Sequence, residues 1–285
     1  MTISHECVGC IINQSVKVSL AIEADAQLSK KLTSRVEQMS KDFSFSDTPP
    51  EIASYVYEEM SIIASKEDLY DEVKEHSTLK ALSFVPLLTQ NLENSKDKLL
   101  TATKIAVAGN VIDLAAEVEF DLEEELEKIF HTDFSHNDFD IFKKKLAESK
   151  SIVILGDNVG EHIFDYMFVQ TLKVLYPDAD LTYMVRGNPI INEVTMKEAK
   201  EAGFDKVCNL VDSGVNTPGF AYTRANDEAK KLFDNADLVI SKGMGNYECM
   251  SPSHRKDICF LLKVKCSVVA NSLGKEIGDI ICKMV

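Results

Sequence analysis

Ser151-Ile152-Val153-Ile154-Leu155-Gly156-Asp157-Asn158-Val159-Gly160-Glu161 joins an apolar run to a helix-like stretch over 161–175. The run reads as a short buried strand. The loop after it delivers a carboxylate, Asp157, and a carboxamide, Asn158, to the C-terminal edge of a parallel sheet, where open α/β folds bind their ligands. An acid beside an amide suggests a metal site built from oxygen ligands. A dinucleotide fingerprint would place three glycines in this turn so that a pyrophosphate could approach the backbone. Here only Gly156 and Gly160 are present, and Asp157 repels a phosphate unless a cation lies between them. The turn therefore reads as a metal site first and a phosphate site second.

Downstream of residue 139 or so, short β-branched runs alternate with helical patterns. Strands are expected at 151–155, 181–185, 206–211, 238–241 and 267–270, with helices at 161–175, 196–202, 224–235 and 254–262. That alternation implies a mostly parallel sheet covered by helices. Upstream, apolar positions recur at three and four spacing over 11–39, 52–63, 79–92 and 99–116. Pro49-Pro50 supplies a helix start, and Asn94-Ser95 fits a break between two helices. The expected fold class is α/β: a helical domain over 1–135, then an α/β domain over 136–285, with the active site in the cleft at the strand C-terminal ends.

Each expected strand leads into residues that carry chemistry. These are Asp157-Asn158, the run from Arg186 through Asn192-Glu193, Asp212-Ser213-Gly214, Lys242-Gly243-Met244-Gly245-Asn246-Tyr247-Glu248, and Asn271-Ser272-Leu273-Gly274. Any one of these loops alone is an ordinary turn with hydrogen-bonding side chains. Together, on parallel strands, they gather carboxylates, amides, an arginine and a lysine on one sheet edge. Hard oxygen donors without a histidine cluster favour Mg²⁺, Mn²⁺ or a similar cation over structural zinc. Such a cation bridges the acidic loop to a phosphoryl oxygen, and Lys242 and Arg186 neutralise the remaining charge. The pattern describes metal-dependent phosphoryl chemistry without naming the substrate.

A formal net charge of −15 argues against a nucleic-acid partner, which would need clustered Lys and Arg. It leaves room for a small anionic substrate held by a local cation. No run approaches the ~20 apolar residues of a membrane span, and residues 1–6 lack a basic region followed by an apolar one. A soluble, cytoplasmic protein without a membrane partner is expected. Seven scattered cysteines, an odd number, do not make a disulfide framework and fit a reducing compartment. Cys7 and Cys10 read as half of a zinc site, a redox pair or buried packing, and no second Cys-x-x-Cys accompanies them.

Four blocks carry a family resemblance: Gly-Asp-Asn-Val-Gly-Glu-His-Ile-Phe-Asp at 156–165, Val-Arg-Gly-Asn-Pro-Ile-Ile-Asn-Glu-Val-Thr at 185–195, Lys-Gly-Met-Gly-Asn-Tyr-Glu at 242–248, and Cys7-Val8-Gly9-Cys10. With Ala108-Gly109-Asn110-Val111-Ile112-Asp113, they resemble the signature blocks of the damage-control phosphatase (ARMT-like) family, from Cys7 to Gly274. The cysteine pair is similar to that of the stand-alone branch. The resemblance implies a metal-dependent phosphatase with a helical N-terminal part and a Rossmann-like α/β part. Its substrates would be small phosphorylated metabolites, such as sugar phosphates or damaged cofactor precursors.

Carried over, the metal ligands are Asp157, Asn158 and Glu193, with Glu193 standing where the family usually shows Asp. Asp157 and Lys242 are the implied catalytic residues, Lys242 holding the phosphate while Gly243 and Gly245 admit it to the backbone. Substrate contacts are assigned to Asn110, Asp113, Arg186 and Asn246; Glu248 supports the loop or touches substrate. Asn110 and Asp113 fall three apart on one helix face, which suits side chains pointing into the cleft or a buried cap or inter-domain hydrogen bond. The implied cofactor is Mn²⁺, Co²⁺, Ni²⁺ or Mg²⁺. Two other classes compete: a cofactor-binding enzyme such as a methyltransferase, and a non-catalytic metal- or metabolite-binding protein. The former wants an acidic residue where strand 181–185 ends, and this chain has Arg186.

Overall fold

In the computed structural model, which describes residues 1–115, 122–251 and 255–285, the first part of the chain forms α1 (His5–Ala21), α2 (Ala26–Met39), α3 (Pro49–Ala64), α4 (Asp71–Asn94), α5 (Lys98–Ala115) and α6 (Leu122–His131). Thr48 and Glu51 build the start of α3 as a reciprocal cap. The Thr48 hydroxyl accepts from the Glu51 amide at 3.3 Å, and the Glu51 carboxylate accepts from the Thr48 amide at 2.9 Å. Pro49 follows at the first helical position, where its missing N–H costs nothing. The expected break at Asn94-Ser95 falls where α4 ends.

A two-residue strand β1 (His136–Asn137) and α7 (Phe139–Glu148) lead into the alternating part. It comprises β2 (Ser151–Leu155), α8 (Glu161–Leu175), β3 (Asp180–Val185), α9 (Met196–Glu201), β4 (Asn209–Asp212), α10 (Asp227–Asn235), β5 (Leu238–Lys242), α11 (Gly243–Met250), β6 (Ile258–Lys263), α12 (Ser267–Leu273) and β7 (Ile280–Met284). The seven strands lie in the order β1-β7-β6-β5-β2-β3-β4. β2 to β6 run parallel, β7 is antiparallel to β6, and β1 is parallel to β7. β2 is flanked by β3 and β5, so connections leave it toward opposite sides of the sheet and open a crevice at its C-terminal end.

β2 is apolar without alternation because both its faces are covered. Ile152 and Ile154 join the apolar cluster that includes α4, α5 and α8, while Val153 and Leu155 join the one beneath α10, α11 and α12. A third cluster holds α1, α2 and α3 together, with Ile190 added from the loop after β3. Among the described residues, no helix is long and apolar enough to cross a membrane.

Three expectations need correction. The helix expected at 254–262 is in its described part the strand β6, and the strand expected at 267–270 is the helix α12. Cys259-Phe260-Leu261-Leu262 is an aperiodic apolar run that suits either element, and pairing with β5 and β7 decides it. Asn271-Ser272-Leu273-Gly274 therefore ends a helix and does not sit at the ligand edge. The strand expected at 206–211 begins at Asn209, after a short 3₁₀ turn over Phe204–Lys206.

Candidate active site

The loop after β2 is held open by the segment after β3. The amide of Val159 donates to the carbonyl of Asn192 at 2.8 Å, and that of Val194 to the carbonyl of Asp157 at 2.9 Å. These bonds form an isolated antiparallel bridge between Asn158 and Glu193, which brings the glutamate alongside the Asp-Asn pair. Glycine is required at two points around it. A Cβ on Gly156 would stand 2.7 Å from the Tyr183 hydroxyl, and one on Gly243, at φ +74°, would stand 1.9 Å from Oδ2 of Asp157. The Asp157 carboxylate thus lies against the first residue of α11, the positive end of that helix.

Asn158 orients the acids. Its amide nitrogen donates to Asp157 Oδ2 at 3.2 Å and to Glu161 Oε1 at 3.1 Å, which leaves the carbonyl oxygen as its donor atom for a cation. Burial, then the neighbouring Glu193 and Glu161, hold the Asp157 carboxyl well above the usual range, while Arg186 and Lys265 oppose them. Buried carboxylates crowded beside an amide oxygen are the environment that a hard divalent cation relieves. Among the described residues, no three His, Cys, Asp or Glu side chains form a metal cage. A cation here would instead take Asp157, Asn158 and Glu193, a mixed set of oxygens that fits Mg²⁺ or Mn²⁺.

The other expected residues lie around this loop, but several make internal contacts. The Lys242 ammonium is fully buried, 2.6 Å from Asp165 Oδ1 and 3.7 Å from Glu161 Oε2. Burial pulls that ammonium down, yet Asp165 and Glu161 carry it above its ordinary value. Tyr183 completes the group by donating to Asp165 Oδ2 at 2.9 Å. Lys242 therefore neutralises the carboxylates of α8, where a phosphate contact was expected of it. Arg186 is likewise buried, 2.6 Å from Glu193 Oε2, with its Nε donating to the Thr217 carbonyl at 3.0 Å.

Asn246, also buried, joins three loops. Its amide nitrogen donates to the carbonyls of Lys242 at 2.7 Å and Gly156 at 3.0 Å, and its oxygen accepts from the Phe220 amide at 2.7 Å. In this arrangement Arg186 and Asn246 hold the cleft's framework. Asn110 and Asp113 belong to α5, but their side chains lie outside the described residues. The residue before Asn110, Gly109, packs against Glu161 at the start of α8.

Sequence reasoning missed Lys265. It follows β6 and lines a cavity of about 390 Å³ together with Asp157, Asn158, Glu193, Cys7 and Cys10. The signal was present: had 258–263 been read as a strand, Lys265 would have stood at the ligand edge. A larger groove of about 790 Å³ runs between α4 and α8 but is lined mainly by apolar side chains and lacks the Asp-Asn loop. His162 borders it. Its Nδ1 accepts from the Gly160 amide at 3.0 Å, and burial lowers its pKa to about 4.

Because His162 is neutral in the fold, the unfolded chain binds more protons between pH ~6.5 and ~4. Its contribution to stability is present above pH ~6.5 and is lost as the pH falls through that window. In thermal melts across this range, His162→Gln is expected to flatten the acid-side loss of stability. Equal slopes for both proteins would show that His162 is not its source.

A mostly parallel sheet whose switch point presents an acid-amide loop, with a lysine in the lining of the same cavity, belongs to the α/β folds that bind ligands at strand ends. The description of the damage-control phosphatase ARMT1-like domain matches residues 3–281, and the chain belongs to this family. It is similar to a damage-control phosphatase of Archaeoglobus fulgidus, 30% identical over 291 residues and covering 100% of both chains. One from Pyrococcus horikoshii is 28% identical over 99% of this chain and 98% of the relative. The crystal structure of a DUF89 family protein from Pyrococcus horikoshii superimposes with a TM-score of 0.89 at 27% identity, over 100% of this chain and 99% of that one.

Proposed function

We propose that this protein is a divalent-metal-dependent phosphatase acting on a small phosphorylated metabolite, a sugar phosphate or a damaged phospho-metabolite. The observation that carries the reading is the Asp157-Asn158 loop at the sheet switch point, bridged to Glu193 and lining one cavity with Lys265. Family membership supports phosphate-ester hydrolysis, and the oxygen-rich donor set supports a hard cation. When bound, that cation supplies Lewis-acid charge at a phosphoryl oxygen.

The protein's own groups divide the remaining work. Asp157 and Asn158 hold the cation from the β2 loop, and Glu193 completes the donor set while Arg186 balances its charge. Lys265, in the lining of the same cavity, binds a phosphate oxygen. Lys242 acts as a positioning residue, holding Glu161 and Asp165 under the loop. Asn246 fixes the β2 loop against α11. Asn110 and Asp113 are proposed substrate contacts through the family resemblance and through Gly109, which sets this turn of α5 on Glu161.

The test is phosphate release by chelator-treated protein from a panel of sugar phosphates and cofactor-derived phosphate monoesters. Release is expected on adding Mn²⁺, Co²⁺, Ni²⁺ or Mg²⁺ and not without metal. No release with any metal would overturn the reading. Lys265→Gln is expected to lower kcat/KM by about 30- to 1,000-fold, roughly 2–4 kcal/mol of a charge-assisted contact made mainly in the transition state. Metal content measured by elemental analysis should stay at the wild-type value. Loss of metal in this variant would assign the lysine to the acidic loop and away from substrate.

A further inference from the structure

Cys7 and Cys10 sit in the first turns of α1, and Cys266 caps α12 on the same cavity that Asp157, Asn158 and Lys265 line. Cys10 is exposed, and Cys7 and Cys266 are half-buried. Neighbouring residues already join the two helices, since the Ser267 hydroxyl donates to the carboxylate of Glu6. Cys7 and Cys266 are the chain neighbours of the two residues in that bond, and both line the cavity. The Cys266 thiol is pushed up by burial, by Glu248 and by Cys7, so a charge on Cys7 is felt there.

Other thiols differ in kind. Cys259 and Cys282 are buried between β6 and β7 with their sulfurs 4.0 Å apart, away from the cleft. The thiols at the cleft do not join a metal cage among the described residues.

We propose that Cys7 and Cys266 are an oxidation-sensitive thiol pair that staples α1 to α12 across the mouth of the cleft. The oxidant is of the peroxide class. The Cys7 thiolate attacks one peroxide oxygen, the O–O bond breaks, and Cys7 becomes a sulfenic acid as water leaves. The Cys266 sulfur then attacks the Cys7 sulfur, the S–O bond breaks, and a second water departs as the disulfide forms. Overall two thiols lose two electrons and two protons, and one peroxide is reduced to two waters. The bond ties the loop that carries Lys265 to α1 and narrows the entrance to Asp157 and Asn158. Formation of the bond is independent of the phosphatase reading, whereas its effect on turnover rests on it.

The experiment treats the full chain with hydrogen peroxide, alkylates the remaining thiols and maps crosslinked peptides by mass spectrometry. A Cys7–Cys266 crosslink that dithiothreitol removes is expected. Hydrolysis of p-nitrophenyl phosphate with Mn²⁺ should fall at least ~10-fold on oxidation and return on reduction, and Cys266→Ser should keep its turnover after peroxide. A bridge between Cys7 and Cys10, one confined to Cys259 and Cys282, or no bridge at Cys266 would overturn the pair. A Cys7–Cys266 bridge with unchanged turnover would overturn the closure of the cleft. If reduced protein hydrolyses no phosphate ester, the phosphatase reading fails, and the peptide map alone decides the pair.

Discussion

Asp157→Asn is expected to lose at least ~10³-fold in phosphate-ester hydrolysis, about 4 kcal/mol of transition-state stabilisation. The change keeps the shape of the side chain and its seat against Gly243, so the fold has little reason to respond. What it removes is the charge proposed to anchor a cation beside Asn158 and Glu193. Metal binding, followed by isothermal titration with Mn²⁺, should disappear with the activity, while the metal-free variant melts near the wild type. Full turnover in Asp157→Asn would end the account of the loop as a metal site.

The second large effect is on stability. Lys242→Met keeps most of the side-chain volume but leaves Asp165 and Glu161 buried without their cation. Removing one member of a buried ion pair costs about 3–5 kcal/mol, because the remaining charge has no water to turn to. For a chain of this length that is a fall on the order of 10 °C in melting temperature. Adding Asp165→Asn to Lys242→Met should recover part of the loss, since the amide carries no charge. A Lys242→Met protein that melts like the wild type yet turns over slowly would return this lysine to the phosphate contact that its place in the Lys-Gly-Met-Gly block suggests.

The β2 loop was legible because its signals are local: an apolar run covered on both faces, stopped by Gly156 and followed by a helix. The helix start read at Pro49-Pro50 belongs to the same category, since the cap that the structure adds there, Thr48 with Glu51, is complete within four residues. β6 was not legible, because four apolar residues in a row have no period and only the neighbouring strands tell a strand from a helix. That ambiguity concealed Lys265 and Cys266 and moved Asn271 to the wrong end of an element.

Lys242 shows a different limit. A lysine ending a strand is visible in the chain, but the acid beneath it comes from α8, 77 residues upstream. The four-residue spacing of Glu161 and Asp165 places both acids on one helix face. Which cation that face would meet depended on the order of strands, since β5 lies beside β2.

The central claim is that the loop after β2 holds a divalent cation at the sheet switch point. Anomalous diffraction from crystals grown with Mn²⁺ and inorganic phosphate tests it most directly. The account predicts a manganese peak between the Asp157 carboxylate and the Asn158 carbonyl oxygen, with phosphate on its Lys265 side. A peak only at the thiols of Cys7, Cys10 and Cys266, or none in the cleft at saturating Mn²⁺, would contradict it.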